Sequence, residues 1–266
     1  MIRFEHTRFA YDKTPVIDDV SFTVAKGDFA ALIGANGAGK STITKLCNGL
    51  LKPQSGRVVL NGLDTKTTKT SLLAKTTGFL FQNPDRQICK NTIAEEILFG
   101  LEFVFDDEAK RKDQCQFVLE QFKFDGKRDP FSMSRGERQR IALASLLARD
   151  PQIMILDEPT TGLDYRECTQ IMEMIAERNA SGVTVLMVTH DMEITQDYAK
   201  HVLVLNQGKL LGDGDVADVM TNRAVLEAAS VSPAQIPALA MRFGPAFTHV
   251  STPEQMAERI ARGCRA

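Results

Sequence analysis

The run Gly34-Ala35-Asn36-Gly37-Ala38-Gly39-Lys40-Ser41-Thr42 constrains this chain more than any other stretch. It fits the pattern G-x-x-x-x-G-K-[ST], a glycine-rich loop whose backbone N–H groups cradle phosphate. The apolar Phe29-Ala30-Ala31-Leu32-Ile33 before it reads as a buried strand, and Ser41 through Leu50 after it reads as a helix. Strand, loop and helix in that order are the context such a loop needs. Glycines let successive N–H groups turn toward one anion, and the helix N-terminus adds the positive end of its dipole. Lys40 is placed to give a point charge to the outer phosphates, and the Ser41 hydroxyl to ligate Mg²⁺. A plain glycine turn would not need a lysine and a hydroxyl at these positions.

The rest of the chain reads as α/β. Val20 to Val24 alternates in the manner of a half-buried strand, and Gly56 to Leu60 and Gly78 to Phe81 are further strands. Thr92 to Phe124 is helical in pattern, with Asp106-Asp107-Glu108 as an acidic helix start. Ser134, with Glu137 three residues on, predicts a capping box for a helix to Ala148, and Asp164 an N-cap for a helix to about Asn179. Ile153 to Leu156 and Val183 to Val188 are continuous apolar runs, as in parallel strands buried on both faces. Val202 to Leu211 reads as a closing hairpin around Asn206-Gln207-Gly208. Strands alternating with helices imply a parallel sheet, with antiparallel strands added at the ends. After about Thr221 prolines interrupt short helical pieces, so residues 1–222 are expected to form the main domain and 223–266 a small C-terminal appendage.

A net charge of -2 gives no electrostatic case for nucleic-acid binding. The N-terminus lacks the apolar core of a secretory signal, and no stretch approaches the roughly 18 to 20 apolar residues that span a bilayer. Cys47, Cys89, Cys115, Cys168 and Cys264 are scattered without C-x-x-C spacing, which suggests neither a zinc site nor a redox pair. They read as small buried hydrophobes in a reducing compartment.

A phosphate loop alone says only that a nucleotide binds. The strand Ile153-Met154-Ile155-Leu156 ends in Asp157-Glu158, two carboxylates suited to hold Mg²⁺ and to take a proton from an attacking water. Pro159 follows at once, which argues against a helix cap. Further on come Ser134-Arg135-Gly136-Glu137-Arg138-Gln139-Arg140, Thr161-Gly162-Leu163-Asp164, Gln82 and His190. With these in family order over residues 1 to about 220, the chain resembles an ATP-binding-cassette (ABC) ATPase subunit. The resemblance implies a P-loop NTPase fold with a mixed, mainly parallel sheet, an antiparallel β subdomain and a helical subdomain, and ATP and Mg²⁺ as ligands. It makes residues 34–42 the Walker A loop, with Asn36, Gly37, Gly39, Lys40, Ser41 and Thr42 on the nucleotide. Residues 153–158 become the Walker B strand, with Asp157, Ser41 and Gln82 toward the metal. Glu158 becomes the general base, and His190 the switch histidine near the γ-phosphate. Tyr11 would stack on adenine, or else simply pack on an N-terminal strand.

In this family the ATP site lies between two subunits, so Ser134 and the Gly136 N–H would cap the γ-phosphate held by a partner, with Asp164 in the D-loop. The second subunit is a copy or a related chain. The signature departs from the common L-S-G-G-Q: Met133 replaces Leu, Arg135 the first Gly, and Glu137 the Gln. Whether Arg135 points toward phosphate or to solvent stays open.

Phe81-Gln82-Asn83-Pro84-Asp85-Arg86-Gln87-Ile88 is similar to the Q-loop segment of energy-coupling-factor (ECF) importer ATPases. That resemblance implies a peripheral ATPase on the cytoplasmic face of the cell membrane. Its partners would be an integral membrane coupling protein and a membrane substrate-binding component, importing vitamins or transition-metal ions, and the appendage would help hold the ATPase pair together. Two other readings fit less well. Ribosome- or DNA-directed ABC ATPases carry paired cassettes or long coiled coils, which are lacking here. A small-molecule kinase with a P-loop would leave Ser134 to Arg140 and His190 without a use.

Overall fold

The computed structural model describes residues 1–247 and 249–263. Four strands, β1 (Ile2–Ala10), β2 (Pro15–Val24), β4 (Ser55–Leu60) and β5 (Leu63–Asp64), form an antiparallel sheet in the order β2-β1-β4-β5. Six more, β3 (Phe29–Ile33), β6 (Thr77–Leu80), β7 (Ile153–Asp157), β8 (Thr184–Val188), β9 (His201–Asn206) and β10 (Lys209–Asp215), form the central sheet in the order β10-β9-β3-β8-β7-β6. All its pairings are parallel except β9 with β10. Helix α1 (Lys40–Cys47) lies between the two sheets, and the short α2 (Thr70–Leu73) leads into β6.

The parallel strands are buried on both faces, and their alternation feeds two cores. Ala30 and Leu32 of β3 join Phe4, Ile43, Leu46 and Leu60 between the sheets. Ala31 and Ile33 face the opposite way, onto the helices. There lie α3 (Ile93–Leu101), α4 (Glu108–Phe122), α5 (Arg135–Ala148) and α6 (Tyr165–Ala180), which bury Ile97, Phe122, Leu143 and Ile175. Each such Leu or Ile contributes about 1.5–3 kcal/mol.

The helical pattern over 92–124 is two helices, the second starting at the expected acidic run, where the Asp107 carboxylate accepts from the Ala109 (2.8 Å) and Lys110 (3.4 Å) N–H groups. Likewise α1 ends at Cys47, before the expected Leu50, where the chain turns and the Leu51 N–H returns to the Lys45 carbonyl. Helices α7 (Met192–Tyr198), α8 (Val216–Thr221) and α9 (Arg223–Ala228) follow, and Leu226, Ala229 and Ala234 extend the helical-side core. Beyond them α10 (Gln235–Phe243) and α11 (Pro253–Gly263) enclose a small cluster of Ala240, Val250 and Met256.

Cys47 and Cys115 are buried as expected, but Cys89 is exposed and Cys168 only half-buried. Cys89 follows the 3-10 turn Pro84–Arg86, and the chain there is held by its amides, the Cys89 and Lys90 N–H groups donating to Glu96 Oε2. Cys264 lies outside the described residues. No helix among the described residues is long and apolar enough to cross a membrane.

Candidate functional site

The site is built where β3, β6, β7 and β8 end, at the carboxyl edge of a parallel sheet. Residues 34–39 leave β3 and enter α1. Gly39 is the N-cap at φ 107°, a backbone that side chains resist, and a Cβ there would stand 2.8 Å from Ile17 Cδ1 and 3.0 Å from the Val16 carbonyl. No side chain caps α1, so an anion is its natural partner. Asn36, Gly37, Gly39, Lys40, Ser41 and Thr42 line one cavity of about 270 Å³ together with Gln82 and Glu158.

Lys40 is buried. Its Nζ donates to the Gly34 carbonyl at 2.7 Å and the Ala35 carbonyl at 3.0 Å, so the ammonium is folded onto its own loop. Burial lowers its pKa from 10.5, against the opposing pull of Glu158 and Asp157. Asp157 is equally buried. Burial raises its carboxyl above 3.8, the neighbouring Glu158 adds to this, and the Ser41 hydroxyl donating to it pulls the other way. Among the described residues no cluster of three His, Cys, Asp or Glu stands ready to hold a metal by itself. The Ser41 hydroxyl, the Asp157 carboxylate and the Gln82 amide are hard oxygen donors of the kind Mg²⁺ takes, and a cation would relieve the cost of ionising buried Asp157.

Glu158 follows β7 at φ 51°, a left-handed conformation that costs a non-glycine residue about 1–2 kcal/mol. Its N–H holds the Val188 carbonyl at 2.9 Å, which fixes that backbone. Oε2 accepts from Gln82 Nε2 at 2.8 Å and from Thr161 Oγ1 at 2.9 Å, while His190 Nδ1 stands 3.4 Å from Oε1. His190 rides on the turn after β8, where the Asp191 N–H donates to the buried Thr189 hydroxyl. Thr161 reads in the sequence only as part of the run to Asp164, without its bond to Glu158, and the pocket-lining Val16 is not singled out there. Thr161 had one signal, a hydroxyl before a glycine three residues past the carboxylate, the makings of a turn that folds back on it.

Tyr11 is 55% exposed, with Phe9 edge-on at 5.0 Å and its hydroxyl 3.4 Å from Thr42 Oγ1. It thus stands beside the loop with most of its ring open. Ser134, Gly136 and Asp164 do not line the phosphate cavity. The exposed Ser134 caps α5 in a full capping box with Glu137, and Asp164 caps α6 in another with Glu167. Buried Gly136 packs against Glu167 and Leu163, where a Cβ would stand 3.0 Å from Glu167 Oε2. These three residues form a second cluster, joined to each other through α6.

Residues 17–161 match the family model described as ABC transporter. A relative from Caldanaerobacter subterraneus, named as an ABC transporter ATP-binding protein, is 40% identical over 94% of this chain and 44% of its own length. YkoD of Bacillus subtilis, named for HMP/thiamine import, is 38% identical over 82% of this chain and 40% of its own. The chain therefore spans less than half the length of these curated relatives. Among solved structures, cbiO1 of Clostridium perfringens, part of the ABC transporter complex cbiONQ, is 26% identical with a TM-score of 0.76, over 90% of this chain and 98% of its own.

Proposed function

The chain belongs to the ABC transporter family, and from that membership we propose that it is the ATP-hydrolysing subunit of an importer of the ECF type. The observation that carries the reading is a divided site: Lys40, Ser41, Gln82 and Glu158 line one cavity, with Asp157 held to Ser41 and His190 beside Glu158, whereas Ser134 stands exposed outside it. A second cassette, a copy or a related chain, would complete each site with its own Ser134, Gly136 and Asp164.

The triphosphate would replace the loop carbonyls as the partner of Lys40 and meet the N–H groups at the start of α1. Ser41 and Asp157, with Gln82, would hold Mg²⁺. When bound, that ion spreads the charge developing on the transferred phosphoryl group. Glu158 Oε2 is engaged by Gln82 and Thr161, which leaves Oε1, on the His190 side, to accept a proton from the attacking water. Exposed Tyr11 would cover the adenine. Nucleotide-driven closure of the pair and its release after hydrolysis would supply the motion for transport.

A groove of about 280 Å³ supports a membrane partner. Phe79, Phe81, Phe99 and Phe103 line it, and Arg138 pairs with Asp85 at 2.7 Å to anchor the segment after Gln82 beside it on α5. An open aromatic trough of this size fits the apolar face of a helix from an integral membrane protein. The import function in the name of the B. subtilis relative and the complex named for the C. perfringens structure support the importer class, with a vitamin or transition-metal ion as cargo selected by a separate membrane component. Residues 223–266 would be an appendage that steadies the ATPase pair, and the whole would sit on the cytoplasmic face of the cell membrane.

Glu158→Gln tests the core of this reading. The variant should keep ATP affinity, lose turnover and accumulate as a closed dimer with ATP in light scattering. Unchanged turnover removes Glu158 from the role of base.

A further inference from the structure

We propose that Arg135 is a positioning residue for hydrolysis, clamping the two chain segments that hold the Glu158 carboxylate. The proposal rests on the reading of Glu158 as the base. Arg135 is the first residue of α5, where the helix dipole disfavours a cation. Among the described residues no carboxylate lies within ion-pair distance of it. Its side chain instead runs back toward the central sheet. Nη2 donates to the Gln82 carbonyl at 3.5 Å. Its Cδ, Nε and Cζ lie 3.5, 3.5 and 3.7 Å from where a Gly162 Cβ would be, so the planar end rests on a residue with no side chain. Gly162, at φ 82°, also holds a backbone conformation that a larger residue would strain.

Both contacts fall next to the hydrogen bonds that fix Glu158. Gln82 donates its side-chain amide to Oε2, and Thr161, the residue before Gly162, donates its hydroxyl to the same oxygen. Arg135 therefore ties the helical layer to the Gln82 loop and to the Thr161-Gly162 turn at once. It keeps both donors on Oε2 and so leaves the other oxygen on the His190 side. A glycine at this position, as in the common signature, offers neither contact. The planar fork matters as much as the charge, since it bridges a carbonyl and a flat backbone surface together.

The test compares the unaltered chain with Arg135→Gln and Arg135→Lys in two measurements. One is the kcat and KM of ATP hydrolysis. The other is amide hydrogen exchange in the nucleotide-free chain. We expect R135Q to lower kcat about fivefold to tenfold with KM within about twofold. Amides at 82–86 and 160–163 should exchange faster while the thermal midpoint stays put, and R135K should recover less than half of the lost kcat. Unchanged exchange at both segments overturns the clamp. So does a raised KM with kcat intact, which would make Arg135 a nucleotide-binding group. If the unaltered chain hydrolyses no ATP, the functional reading fails by itself, and the exchange measurement still decides whether Arg135 holds these segments.

Discussion

The two oxygens of Glu158 are treated differently, and that asymmetry is the finest feature of the site. Oε2 takes two donors, from Gln82 and Thr161, and Oε1 faces His190. A hydrogen bond to a charged group is worth about 1.5–3 kcal/mol, and the loss of one donor is partly offset by the other. Thr161→Val should therefore cut kcat about tenfold with little change in KM, whereas Thr161→Ser should stay close to the unaltered chain. Steady-state ATP hydrolysis checks both, and a kcat loss in Thr161→Ser matching that in Thr161→Val would show that the hydroxyl is not what matters. Lys40, Asp157 and Glu158 were legible because each sits in a local pattern with a chemical reason, and His190 only through its place in the family set. Thr161 and Arg135 were not, because their contacts with Glu158 and Gln82 cross turns whose fold-back the spacing alone does not state.

At the scale of the element, α5 joins helical layer and site. Its capping box was legible from Ser134 and Glu137, since a contact three residues long is set by local geometry. The start of α4 was legible from the acidic run Asp106-Asp107-Glu108, whereas the end of α3 at Leu101 was not marked off within the helical pattern. The Ser134 N–H is the largest influence holding the Glu137 carboxyl below its ordinary 4.5, and Arg128 at 3.2 Å adds to it. A carboxylate with a depressed folded pKa stabilises fully above its unfolded value, and that stability is lost as pH falls through the folded one. Glu137→Gln keeps the cap but not the charge. Near neutral pH it should be less stable by about 0.5 kcal/mol, a small figure because solvent screens a partly exposed group. Thermal unfolding measured at successively lower pH should show the gap between the two proteins closing below 4.5. A gap that widens in acid would mean the charge plays no such part.

Across the whole molecule, the parallel sheet followed from strand–helix alternation and the separate antiparallel sheet and helical layer from the family resemblance, whereas the small cluster around Ala240 followed from neither, since proline-broken pieces carry little periodicity. The aromatic groove also lay beyond sequence reading, because Phe79, Phe81, Phe99 and Phe103 come from separate segments. Phe103 is 57% exposed, so a charge there should leave the fold intact. Phe103→Glu is expected to abolish co-purification with membrane proteins while ATP hydrolysis by the isolated chain stays unchanged. Retained membrane association would move the docking face elsewhere. The parallel order of β3, β8, β7 and β6 sends every chemical loop out at one rim of the sheet. At the other rim the chain makes only tight returns, such as the one where the Gly27 N–H meets the Thr184 hydroxyl. Chassis and chemistry are thereby separated along the strand axis, and lineages sharing this frame are free to rewrite one rim without recasting the other.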